Sequence, residues 1–384
     1  MKSEYDVVIA GAGIGGLAAA AALSKAGFTT VVLERLPRIG GRYTNVTYKG
    51  FQLTTGALHL FPHGRGATAR FVKDDLQADV ELMDTGPVYY MHKGSTLSHV
   101  LRLPSTIDSF LKFSIGLRFN QTPFVERLRF IRRMVTDGRP CILKGGCQSM
   151  IEAMKKIVED YGGAILTKTA LKQIVTDNSS VVEVKIAKLH GQTLTVKTRR
   201  LISDLGSKNT TQMLPEGHLK SELKHSLNRI QPTEGMKISV ESNKPILTTI
   251  TGEDSSLLFT PSCQRIAGIV EPSALDPNLA PPGKSLLMSY QPLATTDIAS
   301  EVRLGIKDLH AVIPEFKGNC RVLAAQVFKG DWPVNRAQQG RDARGQTIIE
   351  GLYLVGDSAK PSGFIMAEGA VEGARRVANT IKKA

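Results

Sequence analysis

Hydrophobic residues open this chain in two short runs separated by a glycine turn and an alanine-rich stretch. Residues 5–10 (YDVVIA) are almost continuously apolar, as in a strand buried on both faces. GAGIGG follows, then LAAAAALSKAG, which has strong helix propensity and ends on a glycine. The second run, TTVVLE, closes on Glu34. The pattern predicts one βαβ unit. Downstream, weak alternation over 48–61 and short apolar runs over 80–103 read as strands. SFLKFSIGLRF and FVERLRFIRRMV, within 104–140, are apolar and basic together. In the second, Phe124, Leu128, Ile131 and Val135 share one helix face, with Arg127, Arg129, Arg132 and Arg133 mostly elsewhere.

Within 144–167 a glycine pair precedes a helix with Met150, Ile151, Met154 and Ile157 on one face, and a second glycine pair ends it. VVEVKIAKLHGQTLTVKTRRLISDLG reads as a hairpin around His190–Gly191 and a return strand. From 207 to about 345 a charged helical stretch (HLKSELKHSLNRI) leads to strands at MKISVES, ILTTITG, SLLFT and RIAGIV. A further strand follows NLAPPGKSLLMSYQ, then a helix closed by Pro314 and a strand at RVLAAQVFKG. The chain ends with a buried strand, Gly356–Asp357, a Pro/Gly loop and a helix from Ile365–Met366, with Gly369 and Gly373 expected against the sheet.

The first glycine turn carries the clearest chemistry. Gly11 allows a tight exit from the strand, Gly13 lets a pyrophosphate approach the backbone, and Gly16 permits close helix packing. The helix N-terminus offers free N–H groups and partial positive charge to phosphates. Glu34, ending the second strand, is placed to accept hydrogen bonds from ribose hydroxyls. Strand, turn, helix and terminal acid together predict dinucleotide binding.

Composition narrows the class. The 384 residues are 42% hydrophobic and 22% charged, ordinary for a globular protein of two or three domains. No apolar run approaches a membrane span, and no export signal precedes the first strand. Cys141, Cys147, Cys263 and Cys320 lack metal or disulfide spacing, so no metal site is expected, and a reduced, cytoplasmic setting is. The net charge of +14 is high, yet aromatics are sparse and no nucleic-acid motif appears, so no nucleic-acid partner is expected. Between 94 and 140, eight Lys/Arg face three Asp/Glu; a basic amphipathic helix there fits either peripheral membrane contact or a helix packed on its own protein.

GxGxxG, Glu34, then Gly40–Gly41–Arg42, then GFxxxxGxxH (Gly50 to His59) resembles the flavin proteins related to phytoene desaturases and amine oxidases. The wording IGGRYTNVTYKGFQLTTGALHLFPHG looks most like an archaeal, phytoene desaturase-like branch. The resemblance covers essentially the whole chain. It implies FAD, with Gly40–Arg42 along the pyrophosphate and ribityl chain, Arg42 free to fork a phosphate, and Gly56 giving the backbone access to the isoalloxazine ring. Leu171 matches a residue that contacts adenine. Asp357 would hold a ribityl hydroxyl or pyrophosphate waters, and the last helix would stabilise charge on the reduced ring. The implied cofactor set is Gly11, Gly13, Ile14, Gly15, Gly16, Glu34, Arg35, Gly41, Arg42, Gly56, Ala57, Leu58, Leu171, Gly356, Asp357, Gly363, Ile365 and Met366. Many relatives carry an aspartate where this chain has Thr54–Thr55, so that contact is not carried over. His59 and Arg336 are the catalytic candidates, and the segment with Trp332 is expected near the substrate face.

The expected fold is therefore α/β: a Rossmann-type FAD-binding domain of the GR2 flavoprotein family with a mixed α+β substrate domain. The first comprises residues 1–84, 141–206 and 346–384, the second 85–140 and 207–345. A second GxGxxG unit is missing, which leaves the electron acceptor external and unidentified. The resemblance implies an FAD-dependent desaturase or dehydrogenase (or a saturase or isomerase) of an apolar isoprenoid or carotenoid-like substrate, by hydride transfer between an allylic C–H and flavin N5. Two alternatives stand beside it: an FAD-dependent amine oxidase, and a flavin-bound lipid- or membrane-binding protein with little turnover.

Overall fold

A computed structural model describes residues 2–384 except 59, 61–63, 93–96, 99–103, 178, 189–190, 192, 216–229, 315 and 344. Its first layer is a five-stranded parallel sheet in the order Leu352–Leu354, Leu201–Ser203, Val7–Ala10, Thr30–Leu33, Ala164–Leu166. The three central strands and Leu352–Leu354 are buried at every position, which explains why they read as unbroken apolar runs. Val7–Ala10 has neighbours on both sides, so the chain order reverses at its carboxyl end. That end is where open α/β sheets bind ligands.

The helix after it, Ile14–Ser24, is buried along its whole length. It packs on the sheet, on the helix Cys147–Asp160 and on the C-terminal helix Met366–Lys383. A helix surrounded on all sides must be apolar all round. Its run of alanines also lets the neighbouring helices approach closely. Met150, Ile151 and Met154 of Cys147–Asp160 are fully buried, matching the face read from the sequence, while Ile157 is half-buried. Gly369 and Gly373 differ from expectation: added Cβ atoms there would meet Lys360 and Ala359 of the preceding loop rather than the sheet.

The second layer is a seven-stranded sheet, ordered Cys320–Phe328, Gly235–Ser242, Ser285–Pro292, Gly268–Val270, Leu257–Phe259, Tyr89–Met91, Leu97–Ser98. Alternate residues feed opposite faces. Ile238, Val240, Leu258, Ile269 and Leu287 meet Leu309 and Val312 of the helix Ile298–Val312. Leu257, Phe259, Val270 and Tyr290 meet Phe110 and Phe113 of the helix Pro104–Ile115. Phe259 stacks on Tyr90 at 5.1 Å and receives the edge of Phe113 at 5.2 Å. The chain leaves the first layer and returns to it side by side, through the antiparallel pair Leu82–Asp84 and Cys141–Leu143. The predicted helix HLKSELKHSLNRI and His190 lie outside the described residues, except that Ile230 is described.

One expected strand is corrected. ILTTITG forms a short helix, Leu247–Thr251, closed by Gly252 at φ +73°. Its β-branched residues favour a strand, but the buried Glu271 carboxylate accepts hydrogen bonds from the N–H groups of Ile246 (3.0 Å) and Leu247 (2.6 Å). Those N–H groups would otherwise be orphaned at a helix start. Ser285 Oγ donates to the same carboxylate at 2.5 Å. Replacing Glu271 with Ala should therefore destabilise the protein by about 3 kcal/mol, because buried donors lose their acceptor. Glu271→Gln should cost less. Urea denaturation of the three proteins checks the order.

Candidate functional site

A cleft of about 530 Å³ opens at the carboxyl end of Val7–Ala10. Gly11 leaves that strand at φ +100°, a backbone that other residues rarely adopt, and Gly13 and Ile14 carry the turn into the helix. The second glycine corner crosses directly over the first, with Gly40 bridging Gly13 and its N–H donating to Ala12 O at 2.7 Å. The Thr55 hydroxyl fastens this corner, donating to Gly41 O (2.9 Å) and Thr44 O (3.1 Å).

Of the eighteen residues expected at the cofactor, all but Gly15, Gly16, Gly363 and Ile365 line this cleft. Glu34, Arg35 and Leu171 stand together at one end. Glu34 accepts hydrogen bonds from Ala12 N (2.9 Å) and Leu36 N (2.8 Å), which fixes its carboxylate and leaves other lone pairs for ribose hydroxyls. Gly41, Arg42, Gly356 and Asp357 form the middle. Gly56, Ala57, Leu58, Leu60, Val334 and Met366 form an apolar end continuous with the aromatic core of the second layer. Met366 begins the last helix at φ +50°, a strained conformation for a side-chain-bearing residue.

The excluded four are close behind. Gly15 packs on the second turn so tightly that a Cβ would lie 2.7 Å from Gly356 N. Gly16 has no room for a side chain because Gly11 O occupies that space, so it serves the turn itself. Gly363 donates its N–H to the buried Glu126 at 2.8 Å, and Ile365 is buried in the second core.

Asp204, at the end of Leu201–Ser203, was not singled out by its sequence context. It occupies the notch between the two glycine turns. A Cβ at Gly13 or Gly356 would collide with its carboxylate, and Gly16 N donates to its Oδ2 at 3.1 Å. Gly13 is thus demanded by Asp204 as well as by any approaching phosphate. Burial pushes the Asp204 carboxyl up to about 7; the Gly16 N–H opposes this, Asp357 adds to it, and Arg336 and Arg42 oppose it.

Asp357 behaves differently. Burial raises its pKa, but Arg42, Lys360 and Arg336 outweigh burial and hold it below the ordinary carboxylate value. Arg42 Nη2 donates to Asp357 Oδ2 at 2.5 Å, while its Nη1 donates to Pro333 O (2.5 Å) and Val334 O (3.0 Å). The fork expected on a phosphate is committed to the protein. It binds the 333–334 segment to the C-terminal turn. Arg336 donates its backbone N–H to Asp357 Oδ2 (2.8 Å), and its guanidinium lies 3.9 Å from Oδ1, so this candidate sits at the middle of the cleft beside Asp357. His59 lies outside the described residues. Trp332 lines the cleft and donates its indole N–H to Thr55 O at 3.2 Å.

A second residue that its sequence did not flag is Lys237, fully buried in Gly235–Ser242. Its ammonium donates to Thr54 O (2.6 Å) and Gly56 O (2.8 Å), pinning the backbone that forms the cleft's apolar end. Burial pushes its pKa down to about 7.

These residues fit FAD. The cleft runs from a ribose-accepting carboxylate past a helix N-terminus to a smooth apolar end, and its glycines at 13, 41, 56 and 356 expose backbone along it. A family model described as flavin-containing amine oxidoreductase matches residues 14–136 and 128–382. The chain is 30% identical over 414 residues to an uncharacterized protein of Methanocaldococcus jannaschii, covering 97% of this chain and 98% of that one. An oxidoreductase of known structure from Methanosarcina mazei matches with a TM-score of 0.89 at 30% identity, over 97% of this chain and 99% of that one. A shorter match, 39% identical over 76 residues, is to the all-trans-retinol 13,14-reductase of Macaca fascicularis; it spans 20% of this chain and 12% of that protein.

Asp204 generates a pH prediction. Its folded pKa, about 7, lies above the ordinary carboxylate value of about 4, so the folded state binds the extra proton between those values. The associated stability is present below pH 4 and lost as pH rises towards 7. Asp204→Asn keeps an acceptor for Gly16 N–H without the charge. It should raise the melting temperature by a few degrees at pH 8 and bring no gain at pH 4. Thermal melts at both pH values check this.

Proposed function

We propose, from the premise that this chain belongs to the flavin-containing amine oxidoreductases and is an FAD-dependent oxidoreductase, that its substrate is an apolar, isoprenoid-type molecule. The observation that carries this reading is the character of the cleft's far end. Ala57, Leu58, Leu60, Val334 and Met366 line it and merge with a core holding Phe110, Phe113, Phe130 and Tyr290. The charged residues of the cleft, Glu34, Arg35, Arg42, Asp204 and Asp357, gather around its nucleotide and phosphate parts, with Asp331 and Arg336 beside them on the 331–336 segment. An apolar wall favours a hydrocarbon and excludes water from it. The partial match to a retinol reductase, whose named substrate is a polyene, points the same way.

When bound, FAD supplies a two-electron donor or acceptor. The protein's own residues hold and orient. Lys237 fixes the carbonyls of Thr54 and Gly56, and Arg42 with Asp357 fixes the 333–334 segment over the cleft. Met366 brings the N-terminus of the last helix to the cleft, and the positive end of that helix would favour negative charge on a flavin held there.

The alternative is an amine substrate, in keeping with the family's description. An amine site of this kind would ask for aromatic walls. Phe364, two residues before the last helix, is buried between Arg133 (3.3 Å from its centroid) and Arg376 (5.5 Å). Among the described residues, Tyr43 and Trp332 are the aromatics that line the cleft.

Anaerobic absorbance of the flavin-loaded protein, titrated with a panel of prenyl lipids, polyenes and amines, separates the readings. The oxidised flavin bands should bleach with an isoprenoid, or pre-reduced flavin should reoxidise with an unsaturated one. A response to amines alone would replace the isoprenoid reading with the second one.

A further inference from the structure

The helix Phe124–Thr136 is built inside out. Its inner face is part polar. Glu126 is buried and accepts hydrogen bonds from Gly363 N (2.8 Å), Gln339 Nε2 (2.7 Å) and Ser362 Oγ. Phe130 stacks on Phe110 at 5.2 Å, and Arg133 covers Phe364 while donating to Asp137 at 3.1 Å. The outer face holds the helix's larger apolar stripe. Phe124, Val125, Leu128 and Ile131 are 64%, 52%, 53% and 41% exposed, and the side chain of Val135, expected on the same stripe, lies outside the described residues.

At 3.6 residues per turn, Phe124, Leu128 and Ile131 stack in one row, with Val125 and Arg132 beside it and Arg127 and Arg129 at its flanks. Arg129 and Arg132 are exposed; Arg129 donates to Ser362 Oγ and lies 3.8 Å from Glu126, while Arg132 faces outwards. A contiguous apolar stripe rimmed by guanidinium groups marks an interaction site. The charge around it suits an anionic partner: the chain carries +14, and its 94–140 stretch is strongly basic. Among the described residues no helix is long and apolar enough to cross a membrane.

We propose that this helix lies on the surface of an anionic lipid bilayer. Its apolar stripe enters the boundary between headgroups and acyl chains, and the exposed Arg132 engages lipid phosphates. The location supports this occupant. The helix's inner face touches the 362–364 segment immediately before cleft-lining Met366, and Phe130 shares a core with Leu58, Leu60 and Met366. The bilayer would then lie about 10 Å, one helix diameter, from the cleft's apolar end. The docking goes beyond the substrate reading and does not need it, because it rests on the exposed stripe.

The test is flotation of the flavin-loaded full chain with vesicles of phosphatidylcholine alone or mixed with phosphatidylglycerol. The wild type should float with the mixed vesicles, less so at high salt. Arg132→Gln should lower the partition coefficient roughly fivefold. Leu128→Asn with Ile131→Asn should lower it by about tenfold or more. Both variants should keep the wild-type melting temperature and flavin spectrum, since the altered side chains point outwards. No flotation of the wild type, or undiminished flotation of the double variant, would overturn the proposal. So would a concentration-dependent dimer that the double variant abolishes, which assigns the stripe to a second copy of the chain.

Discussion

The architecture of the cleft depends on one buried carboxylate. Asp204 stands where three strand ends converge, and the turns at Gly13–Gly16 and Gly356 close around it. Any side chain at 13, 15 or 356 would push these turns apart. The carboxylate is also costly, because burial disfavours its charge. Neighbouring groups share that cost. Arg42 and Arg336 flank Asp357, and Lys360 pairs with Asp342 at 2.7 Å while donating to Asp357 O at 2.5 Å. A buried, alternating array of charges of this kind is stable only as a set.

From that array the two layers acquire different characters. The parallel sheet provides a polar, phosphate-compatible half, built on helix N-termini and glycine backbone. The seven-stranded sheet provides an apolar half, reached through Leu58, Leu60 and Met366. Two cations join the halves. Arg42 spans from the second glycine corner to the carbonyls of 333–334, and Lys237 reaches from the antiparallel sheet to Thr54 and Gly56. The strained backbone of Met366 sits at the junction, where the last helix points into the cleft.

The basic helix on the outside follows a different logic. Its inner face is held by Glu126, which serves three donors at once, so the helix is anchored through a polar contact rather than through its apolar stripe. That arrangement leaves Phe124, Leu128 and Ile131 facing outwards. Amphipathicity alone shows only that such a helix has two faces; which one turns inwards depends on what the neighbouring loop offers.

By itself the sequence determined the elements whose signals are local: the first βαβ unit, the helix Cys147–Asp160 and the terminal strand–turn–helix. Their periodicity and turn residues act within a few positions of one another, so the glycine turns and Glu34 were legible at once, whereas Asp357 was singled out only through the resemblance. Tertiary structure alone decided the rest. Asp204 reaches Gly16 across 188 residues, Lys237 reaches Gly56 across 181, and Glu126 reaches Gly363 across 237. It also turned ILTTITG into a helix, by supplying the Glu271 carboxylate from 24 residues away. It tied Arg42 to Asp357, 315 residues distant. A buried charge declares its purpose only through its partner, and a partner that far along the chain leaves no mark on the local pattern.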